Sequence, residues 1–379
     1  MSAPQTVAHE WLYTGLEIFP AMLKAIAAAQ KSIRLETYIY TDCELGRQFR
    51  EALLAARQRG VAVRVLVDAF GSWLLPDDFF ASLTAAGGEA RFFNPIRFWR
   101  YGVRDHRKLL VCDERVSFVG GFNLADEYAG DGVTRGWCDI GVRLEESVAA
   151  HLAASFDELF LLADFHRKPL LRLRAFKKRR KNVAPGGGKL LLSQPGRGAS
   201  PIQNALGHDL ARAGDVRIVT AYFLPTRRVR RDLLRAARRG GRVRLILAGK
   251  SDVLLSQLAG RVYYRRLMRA GVEIFEYQPQ ILHAKLLVVD GVVYVGSANL
   301  DVRSLNLNYE LMLRLEDETV VAGARAVFDR LLLHCRRIEP VAWSKSQSFW
   351  QRWQQRWAHF LVARVDPWIA LRQFRGVKS

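Results

Sequence analysis

The sequence predicts an α/β protein made of two tandem copies of one unit, each a mixed or largely parallel sheet flanked by helices, with one composite site at their interface. Three observations carry that expectation. First, His106-x-Lys108 is followed by Asp113, and His283-x-Lys285 by Asp290 at the same spacing; a shuffled chain of this composition would hold about 0.01 such patterns. Second, other segments repeat in the same order. Ile33-Arg34-Leu35-Glu36-Thr37 matches Val216-Arg217-Ile218-Val219-Thr220, Val63-Arg64-Val65-Leu66-Val67 matches Val243-Arg244-Leu245-Ile246-Leu247, and Ala86-Gly87-Gly88-Glu89 matches Ala270-Gly271-Val272-Glu273. One duplicated unit with loop-length changes explains this order. Third, helical and strand-like hydrophobic periods alternate through each copy, as α/β folds require.

In the first copy, residues 19–30 and 43–59 have helical spacing, residues 61–68 read as an apolar strand, and residues 79–86 as a further helix. Leu109 to Cys112 and Leu286 to Val289 are apolar and branched, as buried strands are, and Asp113-Glu114 and Asp290-Gly291 read as the turns that follow. A chain of 379 residues with 50% hydrophobic content can fill two sizeable cores. The expected layout is a first domain over residues 1–165, a linker over 166–190, a second domain over 191–340 and a tail over 341–379. The linker is marked by nine Lys or Arg without an acid in residues 167–181, then by Pro185-Gly186-Gly187-Gly188.

Alternate residues of a strand share a face, so His106 and Lys108 project together, as do His283 and Lys285, and a phosphate could sit against each pair. Asp113 and Asp290 fall at strand ends, where a carboxylate caps a turn or meets a cation; their role is supporting. Each copy then reaches a small-residue turn ending in Asn, Gly120-Gly121-Phe122-Asn123 and Gly296-Ser297-Ala298-Asn299. The glycines are expected to admit a ligand oxygen close to backbone N–H groups, and Asn123 and Asn299 add neutral donors.

These paired motifs resemble those of the phospholipase D superfamily, the His-Lys-Asp phosphodiesterases and phosphatidyltransferases, over about residues 10 to 340. Gly15-Leu16-Glu17, Leu35-Glu36-Thr37-Tyr38, Gly120-Gly121-x-Asn123 and Asn308-Tyr309-Glu310 are most similar to bacterial cardiolipin synthases. The resemblance implies two phospholipase D-like domains and phosphatidyl transfer onto phosphatidylglycerol through a phosphohistidine, without metal or other cofactor. It implies His106 as nucleophile and His283 as acid, with Lys108, Lys285, Asn123 and Asn299 holding the non-bridging oxygens. It also implies an orienting acid for each imidazole: Glu310, 27 residues after His283, and Asp139, 33 after His106. Asp126, Glu127 and Asp131 compete for the latter role; an apolar, strand-like stretch follows Asp139 alone. A phospholipid hydrolase or nuclease of the same superfamily, and a binding protein with an inactive site, are the alternatives.

The formal charge of +21, with 46 Arg, points to a polyanionic partner, an anionic phospholipid membrane ahead of nucleic acid. Four scattered cysteines without metal spacing fit a reducing compartment, and no apolar run approaches the roughly 20 residues that span a bilayer. The expectation is a peripheral protein at the cytoplasmic face of the inner membrane. The basic linker could add contact with an anionic leaflet. In the tail, Phe349, Trp350, Trp353, Trp357, Phe360 and Leu361 recur at helical spacing, with Arg352, Gln355 and Arg356 between them on the wet side. That pattern fits a helix lying in a lipid interface, and equally a helix packing its Trp face on the protein's own core; in the first case it works apart from the reaction site.

Overall fold

The computed structural model describes residues 8–94, 102–163, 188–195 and 200–366. Most of the expected linker, and the last residues of the tail, lie outside them.

The first half contains β1 (His9–Leu12), α1 (Gly15–Ala28), β2 (Ser32–Thr37), α2 (Glu44–Gln58), β3 (Ala62–Asp68), α3 (Ala81–Ala85), β4 (Glu89–Phe93), β5 (Leu109–Cys112), β6 (Val116–Gly120), β7 (Gly141–Glu145) and α4 (Ser147–Leu162). The second contains β8 (Lys189–Ser193), α5 (Pro201–Leu210), β9 (Asp215–Thr220), α6 (Arg227–Arg238), β10 (Arg242–Ala248), α7 (Leu254–Arg261), α8 (Tyr264–Met268), β11 (Glu273–Tyr277), β12 (Lys285–Val289) and β13 (Val292–Gly296). It continues through α9 (Val302–Asn306), β14 (Glu310–Leu315), α10 (Glu318–Leu332), β15 (Cys335–Arg337), α11 (Pro340–Ser346) and α12 (Phe349–Phe360).

The duplication is exact at the level of topology. The first sheet runs β1-β7-β6-β5-β2-β3-β4, and the second, β8-β14-β13-β12-β9-β10-β11 with β15 added at the edge. Both sheets are mixed. Only β2-β3-β4 and β9-β10-β11 pair in parallel, because there a helix returns the chain; the remaining pairs are antiparallel, and of these β5-β6 and β12-β13 are joined by tight turns. Asp113 (φ 55°), Glu114 (φ 57°) and Asp290 (φ 50°) take the left-handed conformation that tight hairpin turns need.

Helix α1 buries Ile18, Phe19, Met22 and Ile26, and α2 buries Leu45, Phe49, Leu53 and Ala56, so each lays one stripe on the outer face of the first sheet. The core falls into three clusters. Besides one outer cluster per half, a third cluster is common to both: Val111, Val142 and Phe156 of the first half join Leu286, Leu313 and Phe328 of the second. Helices α4 and α10 contribute to it, and the Trp11 indole of β1 donates to the Val320 carbonyl of α10 at 3.2 Å. This shared apolar middle fixes the inner faces of the two sheets against each other, and hence the two motif strands β5 and β12.

Candidate active site

His106 and His283 stand just before β5 and β12, and two short stretches of pairing across the halves set their positions. Tyr309 N–H donates to Arg104 O, and His106 N–H to Tyr309 O, each at 2.9 Å. Likewise Cys138 N–H donates to Ile281 O at 2.8 Å, and His283 N–H to Cys138 O at 2.7 Å. Each His segment is therefore registered against a segment of the opposite half, and the next residue of that segment is an acid.

The result is crossed. Nδ1 of His106 lies 3.1 Å from the Glu310 carboxylate, and Nδ1 of His283 lies 2.6 Å from Oδ2 of Asp139. Counting along the chain sets each acid against the His of its own half; in space they exchange. Two of the competing acids are engaged elsewhere: Asp126 accepts from Leu45 N–H, and Asp131 from the N–H groups of Val133, Thr134 and Arg135. The Trp137 N–H donates to the backbone carbonyl of Glu127.

The glycines of the following turns serve a purpose other than the expected one. A Cβ on Gly121 would lie 2.2 Å from Asp139 Oδ1, and one on Gly120, 2.4 Å from Ile140 O. They make room for the orienting acid and the adjacent strand rather than for a ligand. In the second copy Ser297 replaces Gly121, and its hydroxyl donates to Glu310 Oε2. Asn123 accepts from Ile39 N–H at 3.1 Å and donates to Tyr128 Oη at 2.7 Å, while Asn299 accepts from Tyr222 N–H at 3.4 Å. Asp113 accepts from the N–H groups of Gln30, Lys31 and Ser32, and Asp290 from those of Gly214 and Asp215. Both aspartates thus tie the far end of a motif strand to the start of its neighbour.

Burial shapes the electrostatics. The ammonium of Lys108 donates to His106 O at 2.6 Å and is pushed down to about 7 by desolvation; that of Lys285 donates to His283 O and is pushed down to about 8 for the same reason. Desolvation lifts Glu310 to about 8. His106 falls well below the ordinary imidazole range, through burial and then the Lys108 charge. His283 is lowered by burial and Lys285, but Asp139 opposes the fall.

Both imidazoles, Asn123 and Asn299 open on one cavity of about 570 Å³. Most of its wall carries no mark in the sequence. The ring of Tyr38 packs edge-on against His106 at 4.9 Å, and Tyr128 and Trp137 lie 5.3 and 5.6 Å from His283. Arg104 and Arg303 also line it, as do Leu361, Val362, Ala363, Val365 and Asp366. The expectation that the tail stands apart from the site is thereby corrected, because the turn that follows α12 forms part of the cavity wall. Arg104 had a signal, its place two residues before His106 in the segment that pairs with Tyr309.

The aromatic side of α12 points outward: Trp350 is 68% exposed and Trp353 47%, with Phe349, Trp357 and Phe360 also exposed. Its other side packs along α7, where Ala358 is buried and His359 Nε2 lies 2.6 Å from Tyr263 Oη. Gln355, expected on the wet side, is buried there and donates to Gln347 Oε1 at 2.6 Å. Small and polar residues suit that face because it meets another helix closely.

Comparison with known proteins agrees with this fold. A family model described as "Cardiolipin synthase, PLD-like domain" matches residues 22–160 and 208–332. Cardiolipin synthase B of Escherichia coli is 36% identical over 318 residues, 81% of this chain and 76% of that protein. Cardiolipin synthase 1 of Bacillus anthracis is 32% identical over 349 residues, 88% of this chain and 68% of that protein. Among solved structures, the fold is similar to phosphatidylserine synthase of Haemophilus influenzae, with a TM-score of 0.75 at 15% identity over 96% of this chain and 95% of that one.

Proposed function

The chain belongs to the cardiolipin synthase family of phospholipase D-like enzymes and is a phosphatidyltransferase; on that premise we propose how its residues move a phosphatidyl group onto phosphatidylglycerol. The observation that carries the reading is the pair of crossed His–carboxylate contacts opening on one cavity. Each Nδ1–H donates to its acid, so each Nε2 is left for substrate. His106, held neutral by burial and by the Lys108 charge, attacks the donor phosphorus. A P–N bond forms, the P–O bond to the head group breaks, and the departing alkoxide takes a proton from Nε2 of His283. His283, with Asp139 beside it and the phosphodiester anion in front, is the better placed of the two to be imidazolium. In the second step neutral His283 takes the proton from the hydroxyl of phosphatidylglycerol, whose oxygen attacks phosphorus and releases His106. Lys108, Lys285, Asn123 and Asn299 bear the charge that develops on the non-bridging oxygens, while Asp113 and Asp290 fix the strands that carry the motifs.

The substrates reside in a bilayer, and the exposed surface beside the cavity fits an anionic membrane. The outward aromatic face of α12 adjoins the exposed Val253, Leu254 and Leu255 at the start of α7, two of which line the cavity. The equivalent loop of the first half, after β3, exposes Trp73 and Leu74, and its Ser72 hydroxyl donates to the carbonyl of Tyr38, another wall residue. Apolar tips on both halves and an aromatic helix, set on a chain of charge +21, suit peripheral binding. Among the described residues no helix is long and apolar enough to cross a bilayer. We place the enzyme at the cytoplasmic face of the inner membrane; its four free thiols support that side.

The test is isotopic trapping. With phosphatidylglycerol carrying labelled phosphate, His283→Ala should accumulate label on His106 while forming almost no cardiolipin, and His106→Ala should give neither. Label held only by the His106→Ala protein would reverse the two roles, and near-normal turnover by either variant would refute the composite site.

A further inference from the structure

The reaction centre uses matched parts from both copies, but two arginines in the same cavity wall break the match. Arg104 precedes His106 by two residues, where the second copy has Ile281. Arg303 follows Asn299 by four residues, where the first copy has Glu127. Neither guanidinium is needed to build the crossed His–acid pairs.

Both have donors to spare. Arg104 Nη1 donates to Tyr38 Oη at 3.0 Å, and its plane stacks over Phe70 at 3.9 Å, yet its buried Nε–H has no partner among the described residues. Arg303 Nε meets Asp366 Oδ2 at 2.9 Å, while its buried Nη1 likewise has none. The neighbouring carboxylates are engaged with backbone: Asp68 accepts from Phe70, Gly71 and Asp105 N–H, and Asp301 from Ser304 N–H. Burial, and then the Arg104 charge, lower Arg303 below the usual guanidinium range, so the two cations feel each other. Two like charges on one cavity wall, each with an N–H group that has no partner among the described residues, suit an anion.

We infer that Arg104 and Arg303 form a second phosphate subsite, which holds the phosphodiester of the acceptor phospholipid while its head-group hydroxyl reaches the phosphorus between His106 and His283. The inference rests on the transferase reading above. The donor's single phosphate is consumed at the histidines, whereas phosphatidylglycerol as acceptor brings another, three carbons from its terminal hydroxyl. A guanidinium fork matches phosphate oxygens. Water and simple alcohols have no such group, so the subsite favours transfer over hydrolysis. Asp366, on the turn after α12, occupies one edge of Arg303 and competes with the phosphate for it.

The experiment compares two acceptors for one donor in mixed micelles: fluorescent phosphatidylglycerol at a fixed trace level, with either unlabelled phosphatidylglycerol or ethanol varied. For Arg104→Gln and Arg303→Gln, the ratio of labelled cardiolipin to labelled phosphatidylethanol should fall at least tenfold through a raised KM for phosphatidylglycerol. Arg303→Lys should fall between wild type and Gln, and Asp366→Asn should lower that KM. Should Arg104→Gln lose its unfolding transition, Arg303→Lys and Asp366→Asn carry the test. An unchanged ratio, with both acceptors losing equally or neither losing, overturns the subsite. Wild-type protein that makes phosphatidylethanol but no cardiolipin overturns the transferase reading, and the subsite with it.

Discussion

Glu310 reaches Nδ1 of His106 across 204 positions of sequence, at 3.1 Å, and among the described residues none of His106's own half takes that place. The contact should hold the imidazole in the tautomer that presents Nε2 to the cavity. Glu310→Gln keeps the size but loses the ionisable carboxyl that faces Nδ1, and is expected to lower kcat by roughly 10²–10⁴ with little change in the unfolding midpoint. A loss below threefold would show that the carboxylate does not orient His106.

The dependence of kcat/KM on pH follows from the buried cations. His106, pushed well below the ordinary range, gains its proton only in acid, so the acid limb should lie well under pH 6.5. Lys108 and Lys285, at about 7 and about 8, lose theirs as pH rises, and with them the charge that attracts phosphate. His283, the acid of the first step, is itself lowered and loses its proton first, so activity should begin to fall on the alkaline side below pH 6.5 and continue to fall through about pH 7 to 8 as the lysines follow. A plateau reaching pH 10 would contradict it.

Gly121 is set by its neighbour's carboxylate. In Gly121→Ala the new methyl collides with Asp139, whose distance to it would be 2.2 Å. The His283 contact should be displaced, and turnover should fall by about 100-fold while the fold persists. The imidazole resonance of His283, followed by NMR titration, should shift as well; an unmoved resonance with full activity would overturn this account.

Beneath the first motif, Arg107 Nη2 donates to Glu36 Oε2 at 2.9 Å, both fully buried. Arg107→Ala leaves the carboxyl without its cation, and should cost about 3–5 kcal/mol in urea unfolding. Burial already raises Glu36, and the variant raises it further, so the folded protein holds that proton to a higher pH than the unfolded chain, which releases it near about 4.3. Stability should hence decline as pH rises, making the deficit larger at pH 8 than at pH 5.

The membrane surface is testable without truncation, which would open the cavity wall. Replacing Trp350, Trp353 and Trp357 together by Gln should weaken binding to phosphatidylglycerol vesicles at least tenfold, and reduce activity on vesicles far more than activity on a short-chain soluble phosphodiester. In the intact protein, raising salt should weaken vesicle binding only in part, since buried aromatic area is not screened as charge is. Equal losses on both substrates would mean that the Trp face supports the fold.

Much of this was legible in the chain because duplication leaves a record in it. The two motifs, the repeat order and the hairpin turns at Asp113 and Asp290 follow from local periodicity and residue type. The crossing of Glu310 and Asp139 does not, since it depends on pairing between Arg104–His106 and Tyr309, and between Ile281–His283 and Cys138, partners far apart in the chain. The role of Gly121 was hidden for a similar reason: what excludes a Cβ there is a side chain brought from another strand. The amphipathic period of α12 gave its two faces but not their partners, and burial of Gln355 reverses the usual reading of a polar residue because α7 lies over it.

A site in which each half supplies the acid for the other's base is unchanged when the halves are exchanged. Two identical copies of a single ancestral unit, meeting about the same axis, would already own both pairs complete, so activity need not have waited for fusion. Joining them in one gene released the copies from having to stay alike. Arg104 against Ile281, and Ser297 against Gly121, are the kind of divergence a symmetric dimer could never fix on one side alone. A reaction with an unlike donor and acceptor gains from that freedom, and the ancestry of the chain can be read in which of its pocket residues still obey the old symmetry.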